Sequence, residues 1–388
     1  MKFIRNTVKY KDGREDSDIK ASKTGKQFPF DLVLFFSVLS LILIGVVMVY
    51  SSSSAIAAKN YGTDYYFLKR QAIFAIAGFV VMAFVRFIPF RLYKTMTYPI
   101  MILSIGLLIA IHVTGFGYTA GGATRWIKFG AFSFQPSELA RFALVVYLSY
   151  SLSKKKELLK KFSIGIVPHA IVLGIFIFLI FLQPDFGSVL ILTAITWIML
   201  YVGGVRLKHL LLPMLGLLPV FYVLMMTAEY RLRRILTFLN PWDYSTGDGY
   251  QIVHSLMAFG SGGLFGAGVG KGYQKLFYLP EPHTDFIFSV IGEELGLLGV
   301  IVILFLYISI FMRGLSIAKK ADNDFAGLMA LGIALSFGFQ VCINLGVCLG
   351  LLPTKGLALP FLSYGGTSLL MNMAAIGVLM NIGGNRSI

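Results

Sequence analysis

Charge is what this chain has least of. Asp, Glu, Lys and Arg make up 13% of its 388 residues, where an ordinary soluble domain carries about 25%. With 57% hydrophobic residues, this excludes a soluble globular fold and leaves a polytopic membrane protein. Cysteine is nearly absent. Cys342 and Cys348 lie in one apolar helix and point to different faces, which excludes a disulfide framework and a thiolate metal site. Histidine is also scarce, and His254 and His283 lack metal-ligand spacing. The first apolar run is too long for a cleavable signal and has no small-residue cleavage motif. No internal repeat is evident, so the inverted halves of many transporters are missing. Acidic residues number 18 against 34 basic ones, a formal charge of +16. The excess lies in short loops and the N-terminal tail, where topology signals belong, so it argues against a nucleic-acid partner.

What is abundant is apolar helix. The sequence predicts an all-α polytopic membrane protein: a flexible cytoplasmic tail over 1–29, then a single transmembrane domain over 30–388. About ten spans are expected, near 30–51, 71–88, 97–114, 137–152, 163–182, 186–204, 208–228, 285–313, 325–349 and 363–382. With the tail inside, Arg86, Arg91, Lys94, Lys154, Lys155, Lys156, Lys160, Lys161, Arg206, Lys208, Arg313, Lys319, Lys320 and Arg386 all fall on the inner side. Both termini are then cytoplasmic. A large extracytoplasmic loop over 229–284 separates helices 7 and 8. It is far longer than an ordinary connection of about 4–6 residues, which marks it as functional.

The chemistry-bearing residues gather on the outer side. Thr284 would cap the eighth helix, with Asp285 in its first turn. At helical spacing Asp285, Ser289, Gly292, Gly296 and Gly299 form one stripe, a carboxylate heading a seam of small residues that admits another helix or a lipid tail. Asp285 reads as a reactive carboxylate or, equally, as a helix cap. Arg125, Lys128, Arg231, Arg233, Arg234 and Lys355 form a basic set suited to a phosphate or diphosphate, or to lipid headgroups. Glu138 and Arg141 share a helix face and would line a cavity or make an ion pair between helices. Asp185, in the turn Gln183–Gly187, would cap the sixth helix, bind a cation or position a substrate. The glycine-rich run 260–272 has no preceding strand, so it is no nucleotide loop; it is expected to be re-entrant backbone. Glu293 and Glu294 lie off the Asp285 stripe and are expected to find Lys or Arg partners. A single carboxylate beside cations suits transfer of a group away from a diphosphate, the acid taking a proton from an attacking hydroxyl.

Six ordered motifs go further. They are GGATRWIKFG at 121–130, QPSELAR at 135–141, QPDFG at 183–187, NPWDYSTGDGYQ at 240–251, YLPEPHTDFIFSVIGEELG at 278–296 and PTKGLALPFLSYGGTS at 353–368. With them the chain resembles the SEDS family (shape, elongation, division and sporulation), the membrane peptidoglycan polymerases. The match runs from Phe30 to Ile382. The motif wording, including Lys355, is that of the division members, with the sporulation members close behind. Arg141 departs from the lysine common in the family; a bidentate guanidinium is not a point ammonium.

The resemblance implies a substrate, lipid II, polymerised into β-1,4 glycan strands for septal wall synthesis with release of undecaprenyl diphosphate. It implies that Asp285 is the catalytic base. Arg125, Glu138, Arg141, Asp185, Arg231, Arg233, Arg234, His283 and Lys355 are the expected substrate-binding residues. It also implies a class B penicillin-binding protein as cross-linking partner, other division membrane proteins, and the bacterial cytoplasmic membrane at the septum with the site facing outward. A divalent cation, magnesium or manganese, would assist diphosphate departure, although no metal cage is visible in the sequence. The rival expectations are a lipid II flippase, a non-catalytic division scaffold and an elongation-type polymerase.

Overall fold

The structure, a computed structural model, describes residues 31–113, 115, 117–120, 123–130, 132–226, 236–247, 249–276, 278–354 and 356–384. The expected tail lies outside the described residues, as do Arg231, Arg233, Arg234 and Lys355. Each expected span coincides with a helix: α1 (Leu32–Tyr61), α2 (Tyr66–Phe87), α4 (Thr97–Val113), α5 (Pro136–Lys154), the short α6 (Phe162–Gly165) running into α7 (Val167–Phe181), α8 (Phe186–Gly203), α9 (Leu207–Met226), α11 (Ile287–Lys320), α12 (Asp324–Cys348) and α13 (Gly366–Gly384). Further helices among the described residues include the short α3 (Phe90–Thr95) and α10 (Tyr250–Gly262). Among the described residues, seven helices are long and apolar enough to cross a membrane, and Thr97–Val113 is a shorter apolar one.

Local chemistry sets the helix ends. Asp31 caps α1, its Oδ1 accepting from the Leu34 N–H at 3.1 Å, and it pairs with Arg313 near the far end of α11. Gly62 closes α1 in the left-handed conformation, its N–H bonded to Ala58 O at 3.1 Å. Pro136 occupies the first turn of α5, where its missing N–H costs nothing. Asn323 caps α12 through the Phe325 N–H at 2.8 Å. Beside that cap, Lys156 from the α5–α6 connection reaches Asp324 at 2.8 Å, so the lysine-rich loop and the start of α12 share one end of the bundle.

The core sits on α12 and α13. Both bury 61% of their spanning window, more than any other candidate span. Small residues bring helices close, as expected where lipid offers no hydrophobic contrast. Gly78 of α2 lies against Met373 of α13, and Gly377 of α13 lies against the Met82 carbonyl.

Three features go beyond the sequence expectation. The segment before α5 forms a three-stranded antiparallel sheet of β1 (Gly117–Ala120), β2 (Ala123–Phe129) and β3 (Phe132–Phe134). Tyr118 lies opposite Trp126, and Lys128 opposite Ser133. The sheet rests on α13 through a bond from Thr367 Oγ1 to Ser133 O at 2.5 Å. Second, the eighth span begins at Ile287, so Asp285 stands in the preceding turn and not in the first helical turn. Thr284 does not cap it; its hydroxyl donates to Glu281 O at 3.1 Å.

Third, α11 is broken. Gly296 adopts φ 64°, ψ −165°, which ends the expected small-residue stripe. The break is filled by the chain after α10. Ala267 N and Gly268 N donate to the carbonyls of Glu293 and Glu294 at 2.9 and 3.0 Å, while Leu297 N and Leu298 N donate to Gly263 O and Leu264 O at 3.0 and 3.2 Å. The glycine-rich run is therefore the partner of the broken helix, satisfying the backbone groups that the break frees. The seam of Ser289 and Gly292 faces α10. Ser289 meets Ser255 at 2.5 Å, and Gly292 packs on the Phe259 ring.

Gly296→Ala tests the break. A Cβ there would lie 2.3 Å from Gly266 N, in a conformation that L side chains rarely adopt. The expected result is a loss of about 2–3 kcal/mol, the upper part of the range for backbone strain because the Cβ also meets Gly266 N, read as a fall in the thermal unfolding midpoint. Wild-type stability would show that the break is not maintained.

Candidate active site

Asp285 is fixed through its backbone. Three consecutive carbonyls of its turn are each taken. Tyr364 N donates to His283 O at 2.9 Å, Ser363 Oγ to Thr284 O at 2.6 Å, and Asn344 Nδ2 to Asp285 O at 3.0 Å, with Cys348 Sγ a weaker donor at 3.4 Å. Asn344 Nδ2 also donates to Leu357 O at 2.7 Å, and Gln340 Nε2 to Ala358 O at 2.9 Å. The turn of Asp285 and the non-helical stretch 353–365 are thereby sewn to each other and to α12.

The stretch brings Gly356 against the carboxylate. A Cβ on Gly356 would lie 3.3 Å from Asp285 Oδ2 and equally 3.3 Å from Arg125 Nη1. Only glycine leaves the space between carboxylate and guanidinium open. Arg125 projects from β2 and is oriented by the α7–α8 turn, through Nε to Gln183 O at 3.2 Å and Nη2 to Pro184 O at 2.5 Å. Both bonds go to backbone carbonyls, which aim the charge without neutralising it. Asp185 caps α8, its oxygens accepting from the N–H and hydroxyl of Ser188 at 3.2 and 2.7 Å.

These groups set the proton affinity of Asp285. The carboxyl is pushed up from the usual carboxylate range to about 7, first by burial and then by the negative charge of Glu281. Arg125 pulls it down, and Asp185 adds a smaller upward push. The residue is half-buried. A carboxylate with this affinity is divided between acid and base near neutral pH, the condition under which proton transfer is most effective.

The other expected residues separate into different environments. Glu138 and Arg141 pair with each other within α5, not between helices, because positions three apart share one face. Both are buried, and they line a small cavity of about 30 Å³ bounded by Val145, Phe337, Asn372 and Ile376, to which no residue of the Asp285 turn contributes. His283 is 4% exposed and packs its ring on Phe67 and Tyr364, with centroids 4.4 and 5.7 Å away. Burial holds its imidazole down to about 4, so it is neutral at pH 7 and offers no cation to a phosphate. Lys128 lies 5.1 Å over the Tyr118 ring. Among the described residues, no group of three His, Cys, Asp or Glu is placed to hold a metal ion.

Sequence reasoning missed the residues that hold the site. Asn344, Gln340 and Ser363 are buried amides and a hydroxyl in apolar surroundings. A polar side chain inside a predicted span is a signal in its own right. Gly356 carries no such signal, because its role is to be absent from a space the fold creates.

Glu294 finds the lysine expected of it, whereas Glu293 is held by backbone N–H groups instead of a cation. Glu294 Oε1 meets Lys275 Nζ at 2.5 Å, Ser51 of α1 donates to both its oxygens, and Gly270 N donates to Oε2 at 3.0 Å. Glu293 accepts from Tyr273 N and Gln274 N at 2.7 and 3.2 Å. These carboxylates tie the glycine-rich chain to α1 and α11. Lys275→Met leaves the fully buried Glu294 without its cation, which costs about 3–5 kcal/mol. The expected result is a marked fall in unfolding temperature that a second change, Glu294→Gln, largely restores. A single variant as stable as wild type would show that the pair does not hold the loop.

The chain was compared with known families, proteins and structures. The family model described as cell cycle protein, covering FtsW, RodA and SpoVE, matches residues 31–388. A probable peptidoglycan glycosyltransferase FtsW of Geobacter metallireducens is 46% identical over 353 residues, 91% of this chain and 94% of the relative. Stage V sporulation protein E of Bacillus subtilis is 40% identical over 362 residues, 92% of this chain and 98% of the relative. Among solved structures, a chain of a peptidoglycan synthase complex coordinating polymerization and crosslinking superposes with a TM-score of 0.75 at 29% identity, covering 92% of this chain and 98% of its own. The rod shape determining protein RodA of Thermus thermophilus gives 0.69 at 28% identity, covering 92% and 97%. A match over nearly the whole length, in sequence and in fold, means that this chain belongs to the FtsW/RodA/SpoVE family.

Proposed function

We propose that this chain is the septal peptidoglycan polymerase of its cell, with Asp285 as the general base. It is a peptidoglycan glycosyltransferase of the FtsW kind and a multi-pass bacterial membrane protein. The observation that carries the role of Asp285 is its placement: a half-buried carboxylate raised to about 7, facing Arg125 across Gly356.

The substrate is lipid II, a disaccharide-pentapeptide on undecaprenyl diphosphate. Asp285 takes the proton from the acceptor 4-hydroxyl. The oxygen attacks the anomeric carbon of the growing chain from the face opposite the diphosphate. A carbon–oxygen bond forms, the bond to the diphosphate breaks, and undecaprenyl diphosphate leaves with the electron pair. Configuration inverts. Arg125 faces the reacting groups, where a positive charge favours the ionised base and a developing anion. Arg231, Arg233, Arg234 and Lys355 are assigned to the departing diphosphate; Lys355 adjoins Gly356 in sequence, which supports its place there. Glu138 and Arg141 are assigned to substrate binding, and Asp185 to substrate positioning through its charge. Magnesium or manganese, if it assists, would have to be held mainly by the substrate diphosphate, since no three His, Cys, Asp or Glu are grouped among the described residues, and no step runs through it.

The single transmembrane domain over 30–388 has ten spans, with the 229–284 segment and Asp285 outward and both termini cytoplasmic. The partner is a class B penicillin-binding protein that cross-links the new strand, alongside other division proteins at the septum. The solved synthase complex, which couples polymerization with crosslinking, supports that partner.

Polymerisation of lipid II by the purified full chain with its partner is the test. Asp285→Asn keeps size and loses basicity, so glycan synthesis should fall by about 10²–10⁴-fold while the variant still purifies and binds its partner. Near-normal polymer would remove the base role. In wild type, the rate should rise with pH through about 7, because the base acts only when ionised. Arg125→Gln removes the charge that lowers the Asp285 carboxyl, so that acid limb should move to higher pH. A limb that stays in place would separate Arg125 from the base.

A further inference from the structure

We infer that Asn344 is a positioning residue for the reaction, setting the register between the Asp285 turn and the stretch that carries Gly356. The inference rests on Asp285 as the base. Asn344 is 2% exposed in the last turns of α12. One nitrogen, Nδ2, donates to Asp285 O at 3.0 Å and to Leu357 O at 2.7 Å. The first carbonyl belongs to the residue whose carboxylate reacts. The second belongs to the residue after Gly356, whose backbone stands beside that carboxylate. Pinning both carbonyls to one atom fixes how far the carboxylate lies from the wall opposite Arg125.

Its neighbours on the same face show that this is more than support for irregular backbone. Gln340, one turn earlier, holds Ala358 O and Ser368 Oγ, with no bond to the Asp285 turn. Cys348, one turn later, adds a weaker bond to Asp285 O and none to the Gly356 stretch. Asn344 joins the two segments. The amide does not touch the reacting atoms, so its effect passes through the placement of Asp285, where an error of about 1 Å costs on the order of 10²-fold in rate.

The test compares full-length Asn344→Leu and Gln340→Leu with wild type, using lipid II as the substrate and measuring kcat and KM across pH. Leu keeps the bulk of Asn and removes its donors. Asn344→Leu should lower kcat by about 10–100-fold with KM for lipid II within about two-fold. Its acid limb should move to lower pH, because a released turn lets water reach the carboxylate while Glu281, Arg125 and Asp185 keep their charges. Gln340→Leu should leave the limb where it is. If Asn344→Leu does not purify as a folded protein, Asn344→Gln, which displaces the same donors by one carbon, is measured in its place. An acid limb unmoved in the Asn344 variant, or moved equally by Gln340→Leu, would overturn the inference. Asp285→Asn is run beside them. If it stays active, the base reading fails. If it is inactive while the Asn344 variant keeps the wild-type profile, the positioning inference alone fails.

Discussion

Everything around the site depends on three backbone carbonyls that no helix can satisfy. The turn at 283–285 leaves its carbonyls without intrahelical partners, and unpaired polar groups are costly where they are shielded from water. Tyr364, Ser363 and Asn344 supply the missing donors. The same bonds that relieve this cost bind the Asp285 turn to the 353–365 stretch. Satisfaction of the backbone and construction of the site are one set of interactions. That explains why a chain with so little charge can still hold one carboxylate in a defined place.

The broken helix follows the same rule on a larger scale. A spanning helix that runs past its membrane-crossing length frees backbone groups when it bends, and α11 bends at Gly296. The chain after α10 fills the gap with four backbone bonds, and Glu293 and Glu294 reach back to grip that chain through its amides. Glycines permit the approach, because any Cβ at Gly262 or Gly266 would overlap the carbonyls of Gly292 or Glu294. A glycine-rich run that reads as flexible becomes a wall, held by carboxylates that bond to amides and, at Glu294, to a buried lysine.

The electrostatic design is economical. Burial and Glu281 make Asp285 reluctant to ionise, and Arg125 opposes them. The cation is held by two carbonyls instead of a carboxylate, so its charge stays available across Gly356. The Glu138–Arg141 pair behaves oppositely: each partner answers the other within one helix, and the pair faces a separate space among α5, α12 and α13. His283, for all its proximity in sequence to Asp285, serves packing through its ring and support through its carbonyl.

By itself the sequence determined the class of molecule and the positions of the helices, and it singled out Asp285 as the candidate carboxylate. Those follow from local quantities: apolar length, charge placement and six motifs in order. It marked Asp285, Glu138, Arg141 and Asp185 as polar residues near helix ends, and Arg125 as a cation in a connecting segment. It could not say that Asp285 stands before its helix and not in it, since the stripe from Asp285 to Gly299 is a regular helical pattern until Gly296 breaks it. Nor could spacing reveal that Asn344, some sixty positions away, holds the Asp285 carbonyl. Tertiary structure alone decided which carbonyls were left for side chains to satisfy, because that depends on where the chain stops being helical inside the bundle. Hydropathy counts side chains, whereas the site is built from backbone groups that find their partners only after the helices pack.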